Sequence, residues 1–379
     1  MYAGIARSAQ EIEAALRLAA QVFGSILGQD EKIIFEIKTF LWHAAYPDGP
    51  EQIIILAPKP DEVVGLIRIC PRILYRKNQK FSCGGISSVC IAPHLQGQGL
   101  SPLLMTAALN WIQSHDFDMA ILFGRRAVDH YYTRFGFWGV SSYNKFLVSH
   151  HDLRRYKDDR VKLIPVPTEE SNRCSVWYEG AYKDCFGRMD RSGEQWRFIV
   201  THMRRIGHHV DFVFFQGELC GYVVHGTSTI FEMALDYAVP PLAILAMIAA
   251  RNESDPLTLV IPPEHPVRWV LTHVDARLET RQCSYGGHMI RILNPQSFLS
   301  AMSERMTPAV AAMKSAPFTE SWEDFTLRWD GVRMNITLDH PAIPTFDITT
   351  RLLGSQTLTV RHHPLDPPLS LNISLPDQL

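Results

Sequence analysis

The stretch that decides the fold runs from Gly84 to Leu104 and reads GGISSVCIAPHLQGQGLSPLL. Residues 85–91 have the β-branched and small side chains of a buried strand, and Pro93 prevents that strand from continuing. Two glycines, at 97 and 99, permit unusual backbone angles in the short loop that follows. We expect Ser101 to be the N-cap of a helix that carries Pro102 near its first turn. The stretch therefore predicts a strand, a glycine loop and a helix in succession.

The loop pattern indicates an anion site. A glycine loop before a helix leaves amide groups exposed and lies at the positive end of the helix dipole, and a pyrophosphate is the usual occupant. A dinucleotide fingerprint would need a small residue where this chain has Pro102, and no Gly-Lys-Ser/Thr of a P-loop follows. The alternative is a plain strand–turn–helix whose glycines serve only the backbone geometry. The loop alone leaves both interpretations open.

A second motif, HYYTRFGF, occupies residues 130–137. Together with the Gln96-x-x-Gly99-x-Ser101 pattern, it resembles the two ordered signatures of the GNAT superfamily of N-acetyltransferases. The resemblance implies that Tyr132 faces the sulfur of coenzyme A and acts as a general acid. Such an acid is needed because the thiolate that leaves when an amine attacks a thioester must be protonated. The structural alternative for Tyr132 is a packing aromatic.

The same resemblance assigns the residues that bind acetyl-CoA. The end of the strand would pair through its backbone with the pantetheine arm, and the loop amides would bind the pyrophosphate. The expected arm-binding residues are Val89, Cys90 and Ile91. The expected pyrophosphate-binding residues are Gln96, Gly97, Gln98, Gly99, Leu100 and Ser101. The loop departs from the family because it is uncharged where arginines are frequent, which predicts weaker coenzyme binding.

The order of predicted elements indicates an α+β, mixed α/β fold in three domains, at residues 1–150, 151–293 and 294–379. Polar residues 150–166 are interpreted as a linker or a transition. The order resembles the tandem-GNAT acetyltransferases of the enhanced-intracellular-survival type. This implies a catalytic GNAT domain, a degenerate GNAT-like domain with DYAVPP at 236–241 in place of the glycine loop, and a sterol-carrier-like third domain.

The same family places its C-terminal carboxylate in the active site as a base. Here the chain ends in SLPDQL without the aromatic terminus expected there, and the third domain is short. Whether Leu379 reaches Tyr132 is therefore left open. Members of the family form oligomers, so a homo-oligomer is expected by resemblance alone.

Composition excludes several other classes of protein. A chain of 379 residues with 46% hydrophobic residues is neither disordered nor of low complexity. A net charge of −2 gives no bulk reason to bind nucleic acid or an anionic membrane. The longest apolar stretch, 238–250, contains two prolines and is too short to span a bilayer, and no secretory signal is recognisable at the start. Seven cysteines without a CxxC pair indicate a reducing compartment, so a cytoplasmic location is expected.

Several further residues have both a functional and a structural interpretation, and the structural one is favoured for most of them. His94 and His130 could relay a proton, and Asp30, Glu31, Glu36 and Asp129 could attract a cationic amine. Phe35, Phe40 and Trp42 could wall the acceptor cleft, and Arg125 and Arg126 could touch the adenosine phosphates. The Cys90 thiol could carry an acyl group. No metal is expected, because no HExxH or comparable spacing occurs and paired histidines on a strand point to opposite faces.

The sequence therefore predicts an N-acetyltransferase that uses acetyl-CoA and a primary amine. The acceptor classes left open are aminoglycoside-like compounds, polyamines, peptide lysines and biosynthetic intermediates. The predicted chemistry is direct attack by the amine, with Tyr132 as general acid. The alternative is a non-catalytic acyl-CoA- or lipid-binding protein.

Overall fold

The fold is seen in a computed structural model of the whole chain. The residues that it describes are 1–28, 30–43, 52–59, 62–76, 79–124, 129–139, 141–185, 187–251, 256–262, 264–283, 287–300, 303, 307, 317–322, 325–330 and 332–338. Within these ranges the chain is a mixed α/β protein with three sheets. No helix in the ranges is long and apolar enough to cross a membrane.

The first sheet contains eight strands of the described chain. In chain order these are β1 (Tyr2–Ile5), β2 (Ile53–Ala57), β3 (Gly65–Arg76), β4 (Gln79–Ile91), β5 (Met119–Gly124), β6 (Trp138–Gly139), β9 (Arg188–Met189) and β15 (Gly287–Ile292). Their spatial order is β1-β2-β3-β4-β5-β15-β6, and β9 pairs with β3. The helices between these strands are α1 (Ala9–Leu27), α2 (Glu31–His43), α3 (Ser101–Ser114) and α4 (Asp129–Thr133).

Among the described residues, the second sheet contains seven strands in the order β14-β7-β13-β12-β11-β10-β8. Their bounds are β7 (Ser141–Val148), β8 (Val161–Pro165), β10 (His209–Phe215), β11 (Glu218–His225), β12 (Thr229–Leu235), β13 (Leu257–Ile261) and β14 (Ala276–Cys283). The helices of this region are α5 (His150–Leu153), α6 (Cys174–Tyr182), α7 (Gly193–Arg205), α8 (Pro241–Ala249) and α9 (Val267–Val270).

A small antiparallel sheet follows, made of β16 (Phe318–Trp322), β17 (Phe325–Trp329) and β18 (Met334–Leu338). Residues 295–300 are helical, as the sequence predicts for the start of this region. The sequence also predicts strands at 346–350 and 357–360. These two segments, and Leu379, lie outside the described residues.

The two large sheets exchange strands across the predicted domain boundaries. Strand β7 precedes residue 150 but lies in the second sheet, and β15 lies in the first sheet between β5 and β6. The linker interpretation of residues 150–166 is wrong, because this segment contains α5 and β8, the edge strand of the second sheet. Most of the charged residues of the segment precede β8, in α5 and the mostly exposed residues that follow it, which is why its composition resembles that of a linker. The three domain ranges stay a prediction.

Helix α1 shows how local sequence sets an element's ends. Ser8 accepts a hydrogen bond from the Glu11 amide at 3.1 Å, as its capping-box pattern predicts. The helix continues past Gly24, where the sequence predicts its end, to Leu27. Gly28 ends it in the left-handed conformation that glycine adopts at little cost.

A buried ion pair lies at the centre of the second sheet. The Arg191 guanidinium donates two hydrogen bonds, of 2.8 and 2.7 Å, to the carboxylate of Glu232, and the Tyr222 hydroxyl donates a third at 2.6 Å. Arg191 also lies 3.8 Å from the ring centroid of Tyr178. Because both charges are almost fully buried, removing either partner would leave an uncompensated charge inside the protein.

Asp118, just before β5, joins the first sheet to the helix that starts the C-terminal region. Its carboxylate accepts hydrogen bonds from the Ser82 amide at 2.8 Å, the Ser82 hydroxyl at 2.9 Å and the Ser297 hydroxyl at 2.6 Å. Its carbonyl accepts from the amides of Leu293 and Asn294, both at 2.9 Å. Phe298 then packs on Phe81 of β4, with ring centroids 4.8 Å apart.

We predict that Asp118→Asn lowers the free energy of unfolding by about 1–3 kcal/mol, because an amide nitrogen cannot accept the bonds that one carboxylate oxygen now accepts. Urea unfolding followed by circular dichroism measures this loss. The matched control is Asp159→Asn, which changes an exposed carboxylate 3.7 Å from Lys157. Equal stability of the two variants would contradict the anchoring role of Asp118.

Candidate active site

The site is built where β4 and β5 separate. These parallel strands pair only from Cys83 with Met119 to Ile86 with Leu122. Beyond Ile86, β4 remains paired with β3 as far as Ile91. One edge of the last third of β4 therefore has no partner in β5.

A β-bulge lies at the start of this gap. The register of β4 on β3 shifts there, so that Ser87 pairs with Arg68 but Cys90 pairs with Leu66. Ser88 within the bulge has a φ of 53°, which is rare for a residue with a side chain, and it is 8% exposed. Bulges bend a strand and change the direction of its side chains, and they are frequent next to active sites. The bulge thus turns the end of β4 away from β5.

The two glycines before the bulge serve close packing. A Cβ at Gly84 would lie 2.8 Å from the side chain of Ile112 on α3, and one at Gly85 would lie 2.9 Å from the Cys70 carbonyl of β3. Helix α3 therefore packs tightly on β4 just before the strands separate.

The three predicted arm-binding residues form the end of β4. Val89 is half-buried, Cys90 is 6% exposed and Ile91 is 8% exposed. Cys90 belongs to the same large hydrophobic core as Leu104 of α3. This environment is the one expected of a small buried thiol, the structural interpretation of Cys90.

The six predicted pyrophosphate-binding residues lie in the turn between β4 and α3 and at the first residue of α3, and residues 96–99 are exposed. Gln96 donates its side-chain amide to the Ile91 carbonyl at 3.0 Å, and Gln98 donates to the His94 carbonyl at 3.2 Å. Gly97 and Gly99 have φ values of 78° and 75°. Within the described chain, no backbone hydrogen bond uses the amides from Gly97 to Leu100. The turn therefore offers a row of exposed donors at the start of a helix, the arrangement that binds a pyrophosphate.

The start of α3 differs by one residue from the prediction. Leu100, not Ser101, is the N-cap, and no side chain caps the helix. Ser101 is the first helical residue, and Pro102 follows it in the first turn, as its fixed φ favours. Without a side-chain cap, the first amides of α3 stay available to a ligand.

Tyr132 lies on α4, a single turn of helix, and is 8% exposed. Its ring packs at right angles to Tyr131, at 5.2 Å, and to Phe137, at 6.5 Å. Its carbonyl accepts hydrogen bonds from the amides of Phe135 and Phe137. These two bonds hold the turn after α4 against the backbone of Tyr132. Tyr132 belongs to the same large hydrophobic core as Cys90 and Ile91.

The neighbouring Tyr131 approaches the start of α3. Its hydroxyl group is buried and lacks a well-formed hydrogen bond to a described residue. Burial raises the pKa of Tyr131, and the nearby Ser101 side chain and the charge of Arg134 oppose that rise. Helix α4 therefore contacts the loop through Tyr131, next to the residue proposed as acid.

The far side of the gap carries an aromatic pair that the sequence analysis missed. Phe123, the first residue of β5 beyond its pairing with β4, is 52% exposed and packs edge-on against His288 of β15, with centroids 5.2 Å apart. Burial lowers the pKa of His288 to about 4, so its imidazole is neutral near pH 7. The sequence predicts a strand at 289–293, but nothing in it points to the site, because β15 is far from the motifs along the chain.

The other sequence candidates are dispersed. His94 and His130 are exposed, as are Asp30, Glu31 and Glu36. Phe35 is half-buried against the core. The side chains of Phe40, Trp42 and Asp129, and the whole of Arg125 and Arg126, lie outside the described residues. Among the residues described, no group of three or more His, Cys, Asp or Glu is arranged to hold a metal ion.

The second sheet contains a similar strand–helix–strand unit with fewer free amides in its connecting turn. Strands β12 and β13 are parallel but pair only at residues 229–230 and 258–259. The connecting turn ends in Pro240, and Pro241 begins α8; neither has an amide hydrogen. Residues 236–238 of the turn are exposed. The turn contains no glycine and leads into two prolines, so it offers fewer amide donors to an anion than the glycine loop.

Comparison with known proteins identifies the first unit. Residues 6–141 match the family model of the acetyltransferase (GNAT) domain. This part of the chain is a GNAT acetyltransferase domain. The protein is accordingly an acetyl-CoA-dependent N-acetyltransferase. No sequence among the curated proteins matches the chain.

Solved structures resemble the acetyltransferase over most of its length. A GCN5-related N-acetyltransferase from Kribbella flavida has 16% identity and a TM-score of 0.61, with 89% of this chain and 83% of that chain covered. One from Anabaena variabilis has 17% identity and a TM-score of 0.62, with 89% and 85% covered. Eis1 from Mycobacterium abscessus has 15% identity and a TM-score of 0.56, with 90% and 86% covered. At these identities the likeness establishes the fold.

We predict that Gly99→Ala raises the KM of the acetyltransferase for acetyl-CoA about tenfold. An alanine at φ 75° costs about 1–2 kcal/mol, so it would displace the loop amides, and 1.4 kcal/mol is a factor of ten in binding. The control is Gly28→Ala, because Gly28 also has a positive φ and open space at its Cβ but ends α1. If both variants lose stability equally and neither changes KM, the loop does not bind the coenzyme.

Proposed function

We propose that the protein transfers the acetyl group of acetyl-CoA to a primary amine at the gap between β4 and β5. The observation that carries the proposal is the row of exposed, unused amides from Gly97 to Leu100 directly after the strand that leaves β5. Val89, Cys90 and Ile91 would hold the pantetheine arm along the unpaired edge of β4. Gln96, Gly97, Gln98, Gly99, Leu100 and Ser101 would hold the pyrophosphate.

The proposed reaction is a direct transfer. The nitrogen of a neutral amine forms a bond to the thioester carbon, the carbon–sulfur bond breaks, and the amine loses one proton to solvent. Tyr132 donates its hydroxyl proton to the leaving thiolate and then regains one from solvent. The protein also contributes by holding both reactants and by directing backbone amides of β4 at the carbonyl oxygen.

The acceptor class stays open among aminoglycoside-like compounds, polyamines, peptide lysines and biosynthetic intermediates. The second sheet is proposed to be a degenerate GNAT-like domain, and the C-terminal region a sterol-carrier-like domain, in an arrangement like that of the enhanced-intracellular-survival type. What supports this is the repeated strand–helix–strand unit and the fold likeness over most of the chain. The protein is also proposed to be cytoplasmic, which is supported by its seven cysteines without a CxxC pair. A homo-oligomer is proposed from the family resemblance alone.

The decisive experiment is acetyl transfer from acetyl-CoA to a panel of amines, with the products identified by mass. The panel contains aminoglycosides, polyamines, lysine peptides and amino sugars. We expect at least one acetylated product. Mass detection avoids a thiol dye, which would react with the protein's own cysteines. A protein that binds acetyl-CoA but acetylates none of these amines would favour the second candidate, a non-catalytic acyl-CoA-binding protein.

We predict that Tyr132→Phe lowers kcat by about 100-fold or more, the usual contribution of a general acid. The KM for acetyl-CoA should change little, because the ring still packs on Tyr131 and Phe137. Steady-state kinetics with the best acceptor of the panel measures both. The control is Tyr2→Phe, which removes an exposed hydroxyl of the same domain. An unchanged kcat in Tyr132→Phe would refute the acid role.

A further inference from the structure

Strands β12 and β13 separate after a short parallel pairing, as β4 and β5 do. Their last paired residues are Ile230 and Leu259, whereas β12 stays paired with β11 as far as Leu235. Beyond Ile230, one edge of β12 therefore has no partner in β13. The space beside this edge is called the second gap below. Because buried backbone groups are almost always hydrogen-bonded, the groups that β12 directs into this space need other partners.

Two side chains supply those partners at Met233, which is fully buried and lies three residues beyond Ile230. Its amide donates to the hydroxyl of Tyr182 on α6 at 3.4 Å. Its carbonyl accepts from Nε2 of His265, in the turn after β13, at 2.8 Å. Alternate residues of an antiparallel pair direct both backbone groups away from the partner strand, and Met233 is such a residue. Tyr182 and His265 thus occupy the edge that a neighbouring strand would cover.

His265 joins this edge to the start of α9. Its ring is 1% exposed and packs on Tyr182, with centroids 4.9 Å apart. Its Nδ1 accepts a hydrogen bond from the Val267 amide at 3.3 Å. A ring nitrogen that accepts this bond carries no proton, so His265 is neutral and its single proton is on Nε2, next to the Met233 carbonyl. Both ring nitrogens are therefore satisfied, and only in the neutral form.

Protonation of His265 would break this arrangement. An imidazolium carries a hydrogen on both nitrogens, so the Nδ1–H would face the Val267 N–H, and the ring would place a charge in a buried site. Burial lowers the pKa of His265 to about 4, although the hydrogen bond to the Met233 carbonyl and the charge of Glu232 oppose that shift. The fold therefore favours the neutral ring.

Other titratable and charged groups lie on the elements that meet at His265. They are Tyr182 and Cys185 at the end of α6, Glu232 of β12 with its partner Arg191, Glu264 in the turn itself and Arg268 of α9. Burial raises the pKa of both Tyr182 and Cys185, so these two stay neutral in acid. The carboxylates and arginines are unchanged in the variants used below, so a comparison of variants isolates His265.

We propose that His265 is a plug that closes the second gap, and that protonation of its ring in acid releases the plug. In the closed form the neutral ring links Met233 to α9. In the open form the charged ring leaves the edge of β12, and the amide and carbonyl of Met233 face solvent. The inference goes beyond the proposed function and does not rest on it, because the second gap lies outside residues 6–141, which form the GNAT domain.

The direction of the pH dependence follows from the protons that each form binds. An exposed histidine has a pKa of about 6.5, whereas the pKa of His265 in the closed form is about 4. Between these values the open form binds more protons, so acid favours the open form and neutral pH favours the closed one. The ratio of open to closed form should rise about tenfold for each unit by which the pH falls from about 6.5 to about 4, and level off below that.

The test is amide hydrogen exchange of the whole protein from about pH 7 to about pH 4.5, corrected for the exchange rate of free amides. We expect the amides of Met233 and Val267 to lose protection by about tenfold per pH unit in the wild type. His265→Gln keeps a donor for Met233 and an acceptor for Val267 but does not titrate, so these amides should lose far less protection. The matched control is His288→Gln, which removes another buried histidine with a pKa lowered to about 4, but in the first sheet. It should respond as the wild type does.

Equal loss of protection in the wild type and in His265→Gln would overturn the inference. So would amides of Met233 and Val267 that stay protected down to about pH 4.5 in the wild type. If His265→Gln does not fold, the ring resonances of His265 in the wild type decide the matter by NMR. A midpoint well below about 6.5, in the pH range where both amides lose protection, supports the plug. A midpoint at the ordinary value, or opening while the ring is still neutral, contradicts it.

Discussion

The structure of the site depends on one constraint: β4 cannot pair with β3 and β5 along its whole length. At the bulge around Ser88, β4 is no longer paired with β5 but stays paired with β3. The left-handed backbone conformation of Ser88 costs about 1–2 kcal/mol of folding free energy, because Ser88 is not a glycine. The packing of Gly84 and Gly85 against α3 and β3 holds the preceding residues in place. The strand edge freed beyond the bulge leads directly into the glycine loop, so one distortion positions both halves of the proposed coenzyme site.

The two sheets show why one strand–helix–strand unit is proposed as a coenzyme site and the other is not. Both have parallel strands that pair over a short length. In the first, the connecting turn offers exposed amides, whereas in the second it ends in two prolines and leads into α8, whose side chains are largely buried. In the second sheet, Glu232 of β12 instead forms a buried ion pair with Arg191 and accepts a hydrogen bond from Tyr222. Strand β7 lies in the second sheet and β15 lies in the first, so each sheet contains a strand from beyond its predicted domain boundary. Because Arg291 and His288 are on β15, they lie in the first sheet.

Sequence reasoning reached the elements whose signals are local. The strand–loop–helix at 84–104, the short helix that carries Tyr132 and the capping of α1 by Ser8 follow from periodicity, proline and glycine positions and capping chemistry. It did not reach the exchange of β7 and β15, because pairing between distant strands leaves no pattern in either one. Nor did it find the bulge, since Ser88 is an ordinary strand residue by propensity. The cap of α3 was misplaced by one residue because Ser101 is a good N-cap in isolation, while Pro102 also fits the second helical position.

Amide hydrogen exchange of the wild-type protein, with and without acetyl-CoA, tests the central claim most directly, because the claim concerns backbone donors. The account predicts slower exchange at residues 89–91 and at 96–101, together with little change at 236–243 in the second sheet. Unchanged exchange in the glycine loop at saturating acetyl-CoA, or protection confined to the second sheet, would contradict it.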